Sequence, residues 1–426
     1  KRLEECCNQL ECHAIIGGWK LRMLRLFSSS LRAIPQFYTA KKSLLKTKGE
    51  VFELPITDAS DEALITFTTG STGIPKGAIR THGFLAEQFR VLSEIIERKE
   101  PEVDLTTLPI VLLLNLGLGN TSVLPNFTVK RAEDFKPERL YNQLKKWKVE
   151  RLSCSPFYAV QLAEYLQVGG EKLPDLKRII TGGAILYDTE VDRIRSVFHS
   201  ISVQLLYGST EAEPISIRNL ETPDKVLNPT LPFGISVGTL HPGLAFGLLH
   251  LNEERTELEP AEWEAIQCKE ASLGEIVVAG AHVLDKYIGG IEVVQKQKIS
   301  VGKTLWHRTG DAGFLYRGEL YLSGRCQEFI DSEFTEKGPF YYENELLKLP
   351  GVAKACSLLW QGNRVGVIEM KKGFSFELKE EFTKSFPEFQ YWIEVDQMPI
   401  DPRHFSKIDY SKLREQMKIL KGRKSE

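Results

Sequence analysis

The sequence predicts an α/β protein: a large domain on mostly parallel sheets, a β-rich subdomain after it, and a small α+β domain at the carboxyl end. Three observations predict this. From Ala63 to Ala212, short apolar runs of strand length alternate with amphipathic helical stretches, as in parallel sheets covered on both faces. After about residue 235 the runs turn strand-like throughout. From Gly324 a smaller mixture of both kinds follows, ending in a basic tail.

The elements follow in order. Residues 1–12 predict a helix, with Leu3, Cys6, Cys7 and Leu10 on one stripe. HAIIGG (13–18) predicts a short buried strand. WKLRMLRLFSSSLRAI (19–34) is basic and partly amphipathic. Such a stretch can touch a membrane surface, although a packed surface helix is the commoner outcome. ALITFTTG (63–70) reads as a strand entering a glycine loop, and HGFLAEQFRVLSEIIERK (82–99) as a helix. PERLYNQLKKWKV, FYAVQLAEYLQ and YDTEVDRIRSVF read as helices; RLSCS, LKRIITGGA and VQLLYGSTEA read as the strands between them. LAFGLLHL, GEIVVAG and GELYLSG supply the β-rich part, VAKACSLLW and RVGVIEM the strands of the last domain.

Residues 105–129 carry no charge. Their continuous apolar core, Ile110–Leu114, is too short for a bilayer, which needs about 20 residues. The stretch therefore reads as a buried strand or tunnel wall, not a transmembrane segment. No cleavable signal is apparent at the start.

A hydrophobic content of 42% and a charged content of 26% are ordinary for a globular chain. A net charge of −2 offers no broad basic surface, which argues against nucleic acid as a partner. Seven scattered cysteines form no CxxC pair, so neither a zinc site nor a disulfide framework is expected. Reduced thiols imply a cytoplasmic setting.

The chemistry concentrates in TFTTGSTGIPKGAIRTHG (66–83). Gly70 and Gly73 let backbone N–H groups approach an anion, Thr68, Thr69, Ser71 and Thr72 add hydroxyls, and Lys76 adds a mobile positive charge. The stretch is not a Walker A loop, because Pro75 and Gly77 flank the lysine. The blander alternative, a polar surface turn, needs no such density of donors.

TTGSTGIPKG resembles the phosphate loop of the acyl-adenylate-forming enzymes: acyl-CoA synthetases, luciferases and nonribosomal adenylation domains. Five further stretches resemble that family's motifs in the family's order. They are ITGGA (180–184), YGSTEA (207–212), HRTGD (307–311), GRCQEFI (324–330) and PRHFSKID (402–409). The resemblance implies the adenylate-forming fold, with residues 1–324 as the large domain and 325–426 as a small mobile lid. It also implies ATP and Mg²⁺, and an upstream segment that completes the first subdomain and part of the acyl pocket. On this reading the chain is either a fragment or a shortened relative.

The implied roles fit the residue types. Thr68, Thr69, Gly70, Ser71, Thr72, Gly73 and Lys76 would hold the β- and γ-phosphates. Gly182, Gly183 and Ala184 would pack beside adenine, on which Tyr207 would stack next to Gly208. Glu211 is a hard oxygen ligand for Mg²⁺, helped by Thr72; Mg²⁺ on a triphosphate usually takes one or two protein carboxylates. Thr210 shares the Glu211 motif. Asp311 can accept from both ribose hydroxyls, and Arg325 can reach ribose or phosphate. Lys407 would bring its ammonium onto the α-phosphate, where charge builds during transfer. Ser406 stands where the family commonly has glycine; Lys412 is the alternative to Lys407.

Several stretches resemble one branch, the olefin-biosynthesis β-lactone synthetases and related fatty acyl-CoA synthetases: LPIVLLLNLGLGNTSVLPN (108–126), STEAEPISI, GISVGTLHPGL and DPRHFSKIDYSKL. Leu113, Leu116, Gly117 and Leu118 are then candidate walls of an acyl pocket; plain core packing is the competing reading. The implied reaction adenylates a long-chain or β-hydroxy fatty acid and closes a β-lactone. The rivals are transfer to CoA, and a nucleotide-binding or partner-binding remnant without catalysis.

Overall fold

The structure, a computed structural model, describes residues 2–39, 55–69, 75–96, 100–129, 131–221, 233–290, 295–329, 337–374, 379–401 and 405–424. The chain forms two compact units, Lys1–Glu87 with Leu284–Gln295, and Gln88–Val283 with Lys296–Glu426.

In the first unit a short helix, Arg2–Cys7, precedes a strand, Ala14–Gly17, that pairs in parallel with Gln36–Thr39. The sequence anticipates a buried strand there, but Ile16 is 71% exposed. Residues 19–34 form two helices, Trp19–Phe27 and Ser29–Ala33, and no residue of the longer one is buried. The strand Glu62–Thr69 belongs to no parallel sheet. It pairs antiparallel with Pro75–Thr81, which pairs with Lys286–Tyr287. The physical reason is the connection: five residues can join antiparallel neighbours, whereas a parallel pair needs a crossover of a dozen or more.

The second unit is organised by a thirteen-stranded sheet. Its parallel half runs Thr121–Val123, Val103–Thr106, Arg151–Cys154, Arg178–Gly182 and Ser202–Ser209, in that spatial order. The helices Pro137–Lys146, Pro156–Gly169 and Asp188–Val197 cover one face. There Leu105, Leu152, Ile179 and Leu205 of the strands pack with Leu140, Leu144, Leu162 and Ile194 of the helices, all buried. Each such side chain contributes about 1.5–3 kcal/mol of burial. The pairing turns antiparallel at Ser202–Ser209, whose other neighbour is Ala212–Asn219. Beyond it come Ile235–Leu240, Glu319–Arg325, Thr304–Tyr316, Gly274–Ala279 and Ala245–Leu249.

Residues Pro109–Gly117, read from sequence as a strand or tunnel wall, form a helix. Proline at its first position and five leucines or isoleucines suit a helix, and a short apolar run has no period that separates the two states. The carboxyl-terminal part holds a three-stranded sheet, Val352–Trp360, Asn363–Met370 and Tyr391–Glu394. Tyr342, Leu346, Phe382 and Trp392 pack in one cluster of this part; Leu358, Val367, Leu413 and Met417 pack in another. Among the described residues no helix is long and apolar enough to cross a membrane.

Candidate active site

Parallel strands linked by helices bring their carboxyl ends to one edge, where α/β proteins place their ligands. In the second unit that edge carries two of the motifs, ITGGA and YGSTEA. Arg151–Cys154 gives way to Ser155 and the helix from Pro156, Arg178–Gly182 to Gly183 and Ala184, and Ser202–Ser209 to Thr210 and Glu211. Gly183 turns there with φ of +89°, a region that glycine enters freely.

Tyr207 meets Asp311 directly across 104 residues of sequence, and Arg325 joins them. The Tyr207 hydroxyl donates to Asp311 Oδ2 at 2.7 Å, and Arg325 Nη1 lies 2.9 Å from Asp311 Oδ1. Strand register explains the second contact, since Asp311 is the Cα partner of Arg325. Burial, then the Asp311 charge, push the Tyr207 phenol well above its ordinary value, so it stays a donor. The Asp311 carboxylate in turn raises the Arg325 guanidinium. Thr309 fixes the turn: its hydroxyl donates to the Ile276 carbonyl at 2.8 Å and accepts from Asp311 N–H at 3.1 Å. The result is a half-buried carboxylate with a phenol on one side and a guanidinium on the other, suited to a sugar diol beside a phosphate.

Glu211 sits at the tip of the hairpin between Ser202–Ser209 and Ala212–Asn219; its N–H donates to Ser209 Oγ at 3.2 Å. A Cβ at Gly208 would stand 2.6 Å from the Ala212 carbonyl oxygen, so only glycine closes this hairpin without a shift. Among the described residues no three His, Cys, Asp or Glu side chains converge on one point. Glu211 is half-buried and offers one hard carboxylate oxygen, the kind of ligand that Mg²⁺ on a triphosphate takes beside phosphates and water.

Lys407 is exposed, on a loop whose neighbours are anchored. Phe405, at φ +54°, is 5% exposed and packs against Phe157 and Tyr158. Ser406 Oγ accepts the Phe157 N–H at 2.8 Å. Ser155, the N-cap of that helix, makes no side-chain capping bond, and Ser406, 249 residues from Phe157, supplies an acceptor to the helix's first turn. Asp401 N–H donates to the Lys407 carbonyl at 2.7 Å. Lys412 lies on the helix Tyr410–Lys424 and pairs with Asp409 at 2.9 Å.

Next to the carboxyl edge lies a small apolar cavity of about 50 Å³. Leu92, Ile95, Ile96, Val111, Leu114, Ile180 and Leu206 give its walls, with Ser153, Gly182 and Glu213 as lining at its polar margins. Of the predicted pocket residues, Leu118 packs on the cluster around Leu114, and Gly117 lies against Phe89. Leu113 and Leu116 are 49% and 78% exposed and stand outside the cavity lining. Once residues 109–117 are helical, Val111 and Leu114 share a face that Leu113 and Leu116 leave.

Lys76 belongs to the first unit, on Pro75–Thr81 opposite Thr68. Thr68 and Thr69 end the partner strand; Gly70, Ser71, Thr72 and Gly73 lie outside the described residues. Sequence reasoning missed the support under the HRTGD motif. Arg308 Nε donates to Glu275 Oε2 at 2.8 Å, and Glu275 Oε1 accepts from Gly310 N–H at 3.3 Å. His307 is buried and its pKa falls to about 3, chiefly by loss of solvent and then by Lys298. It also missed a buried ionic cluster of Glu102, Asp104, Asn115 and Arg151. The only signal was a set of charges inside strand-length runs.

The family model described as AMP-binding enzyme matches residues 1–288. The chain belongs to the AMP-binding enzyme family. This AMP-binding enzyme is 29% identical to olefin β-lactone synthetases of Stenotrophomonas maltophilia, over 84% of this chain and 68% of the relative, and of Xanthomonas campestris pv. campestris, over 80% and 63%. It thus spans about two thirds of the length of these curated relatives. Its fold matches O-succinylbenzoate coenzyme A synthetase from Bacillus subtilis, solved with ATP and magnesium ion. The TM-score is 0.72 and identity 20%, covering 94% of this chain and 80% of that one. At that identity the likeness bears on fold alone.

Proposed function

We propose that this AMP-binding enzyme activates a long-chain or β-hydroxy fatty acid with ATP and then closes a β-lactone. The observation that carries the reading is the Tyr207–Asp311–Arg325 cluster at the carboxyl edge of the parallel strands. In the first step a carboxylate oxygen attacks the α-phosphorus, the bond to the bridging oxygen breaks, and pyrophosphate leaves. Asp311 orients the ribose and Arg325 offsets phosphate charge. Lys407 stabilises charge in the transition state, as preorganised cations do in such sites. Glu211 would hold Mg²⁺, which supplies charge neutralisation on the triphosphate. In the second step the β-hydroxyl oxygen attacks the acyl carbon, loses its proton to solvent, and AMP departs.

The role of Lys76 rests on the sequence resemblance. Residues 325–426 are proposed to move as a lid about the segment near Glu328. That carboxylate is buried and accepts from Leu359 N–H at 2.8 Å and from Arg414 at 2.5 Å, which ties the segment to the small sheet. The kinship with two β-lactone synthetases favours an internal hydroxyl over CoA as second nucleophile. Mass spectrometry of products from ATP and a β-hydroxy fatty acid, with and without CoA, tests it. A lactone formed without CoA supports the proposal. A thioester seen only with CoA replaces its second step, and no pyrophosphate exchange with any acid points to a non-catalytic remnant.

A further inference from the structure

The loop that carries Lys407 is held at two places. At its base, Ile400 and Ile408 form an isolated antiparallel bridge. Asp409 N–H donates to the Pro399 carbonyl at 2.9 Å, and Asp401 N–H to the Lys407 carbonyl at 2.7 Å. Met398 N–H donates to Glu369 Oε2 at 2.6 Å, which joins this base to the strand Asn363–Met370.

The second hold is Phe405. Its φ of +54° is a left-handed backbone, costly for a residue with a Cβ and kept only where the surroundings fix it. Its N–H donates to the Asp401 carbonyl at 2.9 Å, and its ring is buried in the core of the parallel half. The ring centroid lies 5.5 Å from that of Phe157, tilted by 45°, and 6.4 Å from that of Tyr158, edge-on at 86°. Phe135 closes the group, 5.4 Å from Phe157 and 5.0 Å from Tyr158. At such spacings aromatic pairs attract beyond the burial of their area. Phe157 and Tyr158 open the helix that follows Arg151–Cys154, so they stand at the carboxyl edge that also carries Gly183 and Glu211. A further tie joins the same two regions: Gln397 Nε2 donates to Glu133 Oε2 at 2.9 Å, two residues before Phe135. Consecutive residues thus divide the work. Phe405 is buried, Ser406 accepts the Phe157 N–H, and Lys407 is exposed.

We propose that Phe405 is a positioning residue: docked among Phe135, Phe157 and Tyr158, its ring sets the place of Lys407 at the carboxyl edge during acid activation. This rests on the role proposed for Lys407 in the first step. A loop held only at its base would let the lysine sample several places, and a misplacement of about 1 Å can cost about 100-fold in rate. ATP binding, which draws on Asp311 and Arg325, does not depend on the dock.

The test separates the ring from the turn. Phe405→Gly removes the ring and relieves the left-handed backbone, so its effect is loss of the dock. It should lower kcat for acid-dependent pyrophosphate release by about 100-fold, with KM for ATP within about twofold of wild type. Phe405→Leu keeps most of the apolar volume and should restore kcat to within about tenfold of wild type. Phe157→Ala empties the dock from the other side and should repeat the split of kcat from KM. Hydrogen exchange at the Phe157 amide reads the dock without activity; it should quicken by about tenfold in Phe405→Gly and stay slow in Phe405→Leu. Unchanged kcat in Phe405→Gly overturns the proposal, as does slower release without faster exchange at Phe157. Equal losses in the glycine and leucine variants, with KM raised alongside, mark a purely structural role and overturn it too. Faster exchange in Phe405→Gly, when the wild type releases no pyrophosphate with any acid, keeps the dock and overturns the adenylation reading instead.

Discussion

Replacing Asp311 by asparagine isolates the charge at the centre of the site. The carboxylate accepts from Tyr207 at 2.7 Å and holds Arg325 at 2.9 Å. Asparagine keeps one oxygen, so the Tyr207 bond survives as a neutral one. Arg325 loses its counter-charge, but its side chain is 32% exposed, so water takes part of the cost. The nucleotide loses more. Hydrogen bonds to a charged acceptor contribute about 1.5–3 kcal/mol, so Asp311→Asn should weaken ATP binding by about 10- to 150-fold. Calorimetric titration of ATP in the absence of acid reads this directly, with a circular-dichroism melt to show that the variant is folded. A folded variant whose Kd stays within about twofold of wild type would remove the ribose from Asp311, and the nucleotide site with it.

Three further outcomes follow from the geometry. Lys407→Ala should slow acid-dependent pyrophosphate release by about 100- to 1,000-fold while ATP still binds, measured by single-turnover quench; an unchanged rate assigns the cation elsewhere. Ser406→Ala removes the acceptor for Phe157 N–H and should cost about 1 kcal/mol in urea unfolding, whereas an unshifted midpoint means the helix is capped otherwise. His307 is held neutral, its pKa lowered from 6.5 to about 3, so the unfolded chain takes its proton first. Its contribution is complete above pH 6.5 and declines as pH falls toward 3, by roughly 1.4 kcal/mol per unit. His307→Gln should therefore flatten acid unfolding in that window; a parallel curve places the acid sensitivity in other groups.

Much of the parallel half was legible because its strands are short apolar runs between amphipathic helices, and that pattern is local. RLSCS and LKRIITGGA declare themselves, since both faces of Arg151–Cys154 and Arg178–Gly182 are covered. Where the deciding information is non-local, sequence reading failed. Residues 109–117 are apolar in either state, and their helix is fixed by Asn115 reaching strands at Asp104 and Arg151. The antiparallel pairing of Glu62–Thr69 follows from the length of a loop, not from its own residues. In the site, Tyr207, Asp311 and Arg325 were nameable by motif, yet Tyr207 meets Asp311 across 104 residues of chain, and Arg325 meets it only through the register of two paired strands. The Ser406 bond to Phe157 had no sequence signal beyond a serine at an unusual place.

The Glu211 hairpin has a consequence for how the molecule assembles. Its two strands are neighbours in the chain, so their pairing closes a loop of only two residues and demands little entropy. The strands on its parallel side must wait for long crossovers to order. Glu211 should thus reach its native turn before the sheet around it is complete, and amide protection should develop at Leu205 and Arg218 ahead of Leu152.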